Sequence, residues 1–379
     1  MADVFEVAQI LVSHALRVYG EHVALIAYYG SYAKGLASPT SDLDMFYIPD
    51  DGRAKSLSIA FVLDGLPYDF WPVSWKMAEE IANARSHRPW ADSASLIADA
   101  KVLYHRSQAD LERFGALQAR IAELIAPESR GIMVVRALDA FKMTLFQLGQ
   151  MRLAAESDDV AGLRWAGHKL ASNAVNCLAL VNQTYFSKGW GANLAQVLEL
   201  AQSPPDLEEM LKAIMLPQSP EDLLAQAERL ATEVRRVLRS AQLSVAVKSD
   251  ASDAFNEFYF FMVEYVSKIL SACERRDTVA AASAAFHLQE EICQLMNKVD
   301  RGFYGTDFNL LGEYSSGYRE AGFPDLLEPA SRGDLPALAA QARRLDEHVR
   351  TWFGNHSIDL NVFENPADLQ RFLDQSDSA

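Results

Sequence analysis

The chain has 379 residues, half of them hydrophobic and 23% charged, so it can bury sizeable cores and is not a disordered polymer. Its formal charge of −16 disfavours general nucleic-acid binding, because phosphate backbones attract basic surfaces. Three cysteines without metal-ligand spacing indicate neither a disulfide framework nor a zinc site.

The N-terminal third is predicted to mix helices and strands. Residues 4–19 have the apolar spacing of an amphipathic helix, whose buried side would carry Val7, Ile10, Leu11 and Ala15. The continuous apolar run VALIAYYG predicts a strand covered on both faces, and residues 43–48 predict a second strand.

A hairpin is predicted next, because two strand-like runs, SLSIAFVL and LPYDFWPVSW, flank Asp64-Gly65. Pro72 indicates that the second run ends there or lies near a sheet edge. A helix near residues 74–85 and a strand in AKVLYH complete this region.

The rest of the chain is predicted to be helical, with breaks near residues 203–207, 216–222 and 249–253. We therefore expect three domains, at residues 1–125, 126–247 and 248–379. A shift of 118 positions maps Asp159 onto Asp277 and Tyr185-Phe186 onto Phe303-Tyr304, which indicates a duplicated helical unit. The alternative is that amphipathic helices simply resemble one another.

Location is predicted from two absences in the sequence. The N-terminus lacks the basic start and apolar core of a signal peptide, and no apolar run approaches the ~18 residues of a membrane helix. We expect a cytoplasmic protein with no membrane partner.

Two aspartates spaced one residue apart form the main candidate site. Asp42 and Asp44 stand at i and i+2 at the start of a predicted strand, so they would project from the same face. Two such carboxylates repel each other, and Mg²⁺ is commonly held by one or two carboxylates together with phosphate oxygens and water. The preceding strand ends at Gly30-Ser31, where glycine allows close approach of an anion and serine can donate to it.

The extended pattern resembles the active-site signature of the DNA polymerase β-like nucleotidyltransferase superfamily. It stands here as Gly30-Ser31-Tyr-Ala-Lys34-Gly35, then Pro39 and Ser41-Asp42-Leu-Asp44. The resemblance implies a third carboxylate on a neighbouring strand. Asp69, in the middle of an apolar strand, is favoured over Asp64, whose turn position explains it without chemistry.

The resemblance also implies a reaction. Such enzymes transfer a nucleoside monophosphate from a nucleoside triphosphate, here favoured as ATP, to an acceptor hydroxyl and release pyrophosphate. One or two Mg²⁺ ions would be held by Asp42, Asp44 and Asp69. Gly30, Ser31, Lys34 and Ser41 would bind the nucleotide. Asp69 or an acid of the helical region would take the hydroxyl proton.

The expected fold is an α+β nucleotidyltransferase domain, with a short mixed sheet and flanking helices, followed by a large all-α helical-bundle region. This arrangement is similar to that of kanamycin-type antibiotic nucleotidyltransferases. This similarity implies a small-molecule acceptor of the aminoglycoside-like antibiotic type, with residues 126–247 contributing to its binding. A cationic acceptor is consistent with the acidic balance of the chain. Two alternatives stay open: nucleotidylation of a protein or tRNA end, and a catalytically idle nucleotide-binding scaffold. Nucleic acid is the less expected partner, and a homodimer is compatible with the long helical part.

Overall fold

The computed structural model describes residues 3–38, 41–50, 56–85, 88–303 and 315–376. It divides into two compact units, Met1–Val245 and Ala246–Ala379. The three-domain division expected from the sequence stays a prediction.

A mixed sheet lies at the centre of the N-terminal region, which confirms the predicted α+β class. Within the described residues it contains five strands in the order β3-β4-β2-β1-β5. Only β2 and β4 are parallel, and the other neighbouring pairs are antiparallel. The strands are β1 (Val23–Tyr28), β2 (Leu43–Pro49), β3 (Ile59–Leu63), β4 (Leu66–Pro72) and β5 (Lys101–His105).

The predicted hairpin is formed by β3 and β4. Asp64 and Gly65 both have positive φ, 52° and 82°, as a two-residue turn that matches the strand twist requires. Pro72 is the last residue of β4, as its missing amide N–H leads one to expect.

Eleven α-helices surround or follow this sheet in the described part of the first unit. They are α1 (Val4–Tyr19), α2 (Gly30–Ala33), α3 (Trp75–Ala82), α4 (Trp90–Ser93), α5 (Ser95–Ala98), α6 (Gln108–Ile125), α7 (Arg130–Glu156), α8 (Val160–Val181), α9 (Leu194–Leu198), α10 (Leu207–Met215) and α11 (Pro220–Val245).

The two faces of the sheet are covered by different helices. Alternate residues of β2, among them Met45 and Tyr47, join the apolar cluster that packs against α1. The intervening Phe46 faces the other way, where its ring lies 6.1 Å from that of Phe114 on α6. The face of β2 that carries Phe46 is therefore the face on which Asp44 projects.

One part of the α1 prediction is wrong. Val7 and Ala15 are buried as expected, but Ile10 is 62% exposed. The buried stripe runs instead through Val4, Val7, Ala8 and Ala15, a narrower arc than the apolar pattern indicates.

The bundle that follows is built around the antiparallel pair α7 and α8, with α11 packed against both. Both α4 and α8 belong to this first unit and pack on each other, so the sheet region and the bundle share contacts.

In the described residues of the second unit the regular secondary structure is helical. It contains α12 (Ala251–Ala254), α13 (Phe258–Glu274), α14 (Thr278–Arg301), α15 (Ser316–Glu320), α16 (Leu327–Ser331), α17 (Leu335–Asn355) and α18 (Pro366–Ser376). Its core lies mainly between α13, α14 and α17.

The proposed duplication stays a prediction, although one local feature recurs at the expected shift. Asp159 is the N-cap residue of α8 and Asp277 that of α14, and each side chain accepts a hydrogen bond from the amide three residues later. The residue before each, Asp158 and Arg276, has positive φ. Tyr304, which the 118-residue shift also uses, lies outside the described residues.

Of the helices in the described ranges, none combines the length and hydrophobicity needed to cross a bilayer. The cytoplasmic location and the homodimer stay predictions.

Candidate active site

Strand pairing brings together the acids that lie far apart in the sequence. Because β2 and β4 are parallel neighbours, Asp44 is paired directly with Asp69 in the sheet register. Tyr68 and Phe70 pack on the α1 side, so Asp69 projects on the opposite face, the same face as Asp44. Asp42 lies two residues before Asp44 and its charge acts on that carboxyl group.

Gly30 approaches Asp44 so closely that no side chain fits between them. A β-carbon on Gly30 would lie 2.2 Å from Oδ2 of Asp44, and the glycine has φ of 74°, a conformation that other residues rarely adopt. The amide of Tyr29 donates to the carbonyl oxygen of Asp44 at 3.0 Å. The end of β1 is thus held against the start of β2.

The carboxyl group of Asp44 is strongly perturbed. Burial, followed by the negative charges of Asp42 and Asp69, raises its pKa to about 6, while the nearby Lys34 ammonium opposes the rise. Burial also raises the pKa of Asp69. Asp64, the rival third acid, lies in the exposed β3–β4 turn.

No three His, Cys, Asp or Glu side chains in the described ranges are grouped closely enough to form a ready-made metal site. The chemistry of the donor set nevertheless fits a divalent cation. The negative charges of Asp42 and Asp69 both act on Asp44, and two carboxylates suffice for Mg²⁺ when phosphate and water supply the other ligands.

The segment after Gly30 is a short helical turn closed by a second glycine. The carbonyl oxygen of Ser31 accepts from the amide of Leu36 at 2.9 Å, and Gly35 has φ of 70°. Among the described residues the Ser31 hydroxyl has no hydrogen-bond partner, so it is available to a ligand. Ser41 instead stabilises its own turn, since its hydroxyl accepts from the amide of Ser38 at 2.8 Å. Pro39, part of the sequence pattern, lies outside the described residues.

Lys34 is directed toward the helical bundle. Its Nζ lies 3.4 Å from Oδ2 of Asp99 and also donates to the carbonyl oxygen of Ser187. The Tyr185 hydroxyl donates to the other oxygen of Asp99 at 3.0 Å. Only 10% of the Lys34 side chain is exposed. The partners of Lys34 in this structure are therefore Asp99, at the C-terminal end of α5, and Ser187, in the loop after α8. The role of Lys34 in nucleotide binding stays a prediction.

Two aromatic residues of this site were missed at the sequence level. The indole N–H of Trp71 donates to the hydroxyl oxygen of Tyr29 at 3.1 Å. Burial and the charges of Asp44, Asp69 and Asp42 raise the pKa of Tyr29 to about 12, so its hydroxyl is neutral at physiological pH. Strand alternation could have indicated Trp71, because it follows Asp69 by two residues in β4 and therefore lies on the same face.

A second missed contact joins the sheet region to the bundle. Asn176 of α8 is 6% exposed, and its side-chain oxygen accepts from the amide of Ala91 on α4 at 2.9 Å. Nearby, the amide of Phe186 donates to the carbonyl oxygen of the same Ala91 at 2.8 Å. These bonds attach the bundle beside the face that carries the acids.

Comparison with known proteins identifies both parts of the first unit. Residues 11–91 match the nucleotidyltransferase domain family, and residues 142–244 match the KNTase C-terminal domain family. No curated protein matches the chain. The nucleotidyltransferase-like protein from Exiguobacterium sibiricum 255-15 is similar in structure, at 13% identity and a TM-score of 0.37, over 64% of this chain and 76% of that one.

The first match includes Gly30, Asp42, Asp44 and Asp69. The second includes the C-terminal half of α7, all of α8, α9 and α10, and all but the last residue of α11. The order of the two domains agrees with the resemblance drawn from the sequence. The chain therefore contains a nucleotidyltransferase domain followed by a KNTase C-terminal domain, and the two domains together identify it as a nucleotidyltransferase.

Proposed function

We propose that this nucleotidyltransferase transfers AMP from Mg·ATP to a hydroxyl group of a small-molecule acceptor and releases pyrophosphate. The observation that carries the proposal is the register pairing of Asp44 with Asp69, beside Asp42 and against Gly30. Like charges placed directly opposite each other in a sheet are destabilising, so their gathering on one face needs a compensating ligand.

Nucleotidyltransferases generally use a nucleoside triphosphate and a divalent metal. Asp42 and Asp44 would hold Mg²⁺, with Asp69 as the third carboxylate. A divalent cation there would neutralise triphosphate charge and stabilise the charge that develops during transfer.

Other steps, phosphate binding and proton transfer, would depend on side chains of the protein. Gly30 leaves room for the Asp44 carboxylate beside the backbone. The Ser31 hydroxyl, which has no hydrogen-bond partner among the described residues, would donate to a phosphate oxygen. The acceptor oxygen would attack the α-phosphorus while the bond to the bridging oxygen of pyrophosphate breaks. Asp69 would take the acceptor's proton, a role that its raised pKa favours.

The helical domain and the net charge of the chain both support a small-molecule acceptor. Residues 142–244 match the KNTase C-terminal domain, a family that acts on small molecules. The net charge of −16 is compatible with a cationic acceptor such as an aminoglycoside-like compound.

The test is pyrophosphate release from Mg·ATP, screened against aminoglycosides, lincosamides, candidate proteins and tRNA. Turnover with a hydroxyl-bearing small molecule is the expected result. Turnover only with a protein or tRNA would overturn the acceptor assignment, and Mg·ATP binding without any turnover would indicate an idle scaffold.

A matched pair of variants tests the third carboxylate. Asp69→Asn should abolish turnover, whereas Asp64→Asn, in the exposed turn of the same hairpin, should keep it. The reverse result would move the catalytic role to Asp64.

A further inference from the structure

Tyr28 and Tyr29 are adjacent, yet their rings lie on opposite faces of the sheet. The ring of Tyr28 contacts Phe5 of α1 with centroids 5.5 Å apart. The ring of Tyr29 lies 6.0 Å from that of Phe46, on the face that carries Asp44. Only the second tyrosine therefore borders the active site.

The hydrogen bond from Trp71 determines what the Tyr29 hydroxyl can do. An indole N–H only donates, so the hydroxyl oxygen of Tyr29 is the acceptor and its own proton must be given elsewhere. Within the described residues this hydroxyl has no other hydrogen-bond partner. The partly buried Tyr29 hydroxyl is thus held in place through its oxygen, and its proton has no acceptor among the described residues.

The direction of that proton follows from the surrounding charges. The carboxylates that act on the Tyr29 hydroxyl are Asp44, then Asp69 and Asp42. Negative charges favour an O–H bond that points toward them, but none of the three carboxylates is a hydrogen-bond partner of this hydroxyl. The proton is therefore available to an oxygen of a ligand bound among the acids.

We propose that Tyr29 is a nucleotide-binding residue, whose hydroxyl donates a hydrogen bond to an oxygen of the bound Mg·nucleotide. The inference rests on the proposed function. The nucleotide is favoured over the acceptor because Tyr29 directly precedes Gly30-Ser31 and because its amide donates to the carbonyl oxygen of Asp44 at 3.0 Å. Trp71 is a positioning residue, since it acts through Tyr29.

The experiment is isothermal titration calorimetry with Mg²⁺ and a non-hydrolysable ATP analogue. Tyr29→Phe removes the donor and keeps the ring, and Tyr28→Phe is the matched control because it removes a hydroxyl from the other face. Losing a hydrogen bond to a charged ligand should weaken binding by roughly tenfold to a hundredfold in Tyr29→Phe. Tyr28→Phe should bind as the unaltered protein does.

Trp71→Phe tests the positioning role. It should weaken binding less than Tyr29→Phe, and the double variant should bind no worse than Tyr29→Phe alone, because both act through one hydroxyl. Thermal unfolding of each variant establishes that it is folded before titration.

The outcomes separate this inference from the function on which it rests. If the unaltered protein does not bind the Mg·analogue, the proposed function is wrong. If it binds and Tyr29→Phe binds with the same affinity, the function stands and the role of Tyr29 is refuted. Additive losses in the double variant would refute the positioning role of Trp71.

Discussion

Oδ2 of Asp44 occupies the position next to Gly30 that a side chain would otherwise fill, 2.2 Å from where a β-carbon would lie. The contact joins the end of β1 to the start of β2, the two strands that carry the sequence pattern. Any residue other than glycine at position 30 must displace the Asp44 carboxylate or the strand end.

Gly30→Ala should therefore lower turnover by roughly a hundredfold, since displacement of a catalytic group by about 1 Å has effects of that size. Gly35→Ala is the matched control, because Gly35 has a similar φ of 70° but no atom within 4 Å of an added β-carbon. Both variants have backbone strain, but only Gly30→Ala has the clash. Pyrophosphate release measures the difference, and equal losses in the two variants would show that strain alone matters.

Asp44→Asn should abolish turnover and yet stabilise the metal-free protein at neutral pH. The folded pKa of Asp44, about 6, lies above its ordinary value of 3.8, so its ionisation opposes folding. This stability cost is absent below pH 4 and complete above pH 6. Removing the charge should raise Tm by roughly 2–4 °C at pH 7.5, for a penalty of about 1 kcal/mol after allowance for solvent screening.

Thermal unfolding at two pH values checks this expectation. The Tm difference between Asp44→Asn and the unaltered protein should disappear near pH 4. Added Mg²⁺ and nucleotide should stabilise only the unaltered protein. A variant that is less stable at pH 7.5 would contradict the charge repulsion assigned to this site.

The rate at limiting Mg²⁺ should fall on the acid side with an apparent pKa near 6, because protonated Asp44 does not hold a cation. The charge of Lys34 should affect the position of this acid limb. Lys34→Met removes a cation that lowers the pKa of Asp44, so the limb should shift to higher pH. A rate profile that is flat from pH 5 to 8 would count against a titrating Asp44.

Asn176→Leu should destabilise the first unit by about 1–3 kcal/mol, because the buried amide of Ala91 loses its acceptor. Asn173→Ala is the control on the same helix. The Asn173 side chain donates to the carbonyl oxygen of Lys169, a local bond within α8 that links no other element. Urea unfolding compares the two, and a change of less than ~0.5 kcal/mol for Asn176→Leu would show that this contact does not hold the bundle to the sheet.

The sequence alone predicts the strands, the hairpin and the long helices, because each depends on local periodicity and turn chemistry. A two-residue turn between paired strands requires positive φ, which Asp64 and Gly65 adopt. Pro72 ends β4 because it lacks an amide N–H. The spacing of Asp42 and Asp44 is likewise local, since alternation places both on one face. The exposed Ile10 shows the limit of this reasoning, because periodicity does not give the width of the buried stripe.

Only the tertiary structure decides which distant groups meet. Asp44 and Asp69 are paired because β2 and β4 are parallel neighbours, an arrangement that no local pattern specifies. The contact of Lys34 with Ser187 spans 153 positions, and that of Trp71 with Tyr29 spans 42. Hydrogen bonds and electrostatic interactions depend on distances in space, which strand order and helix packing set, so the charge environment of Asp44 and the orientation of Tyr29 appear only in the folded chain.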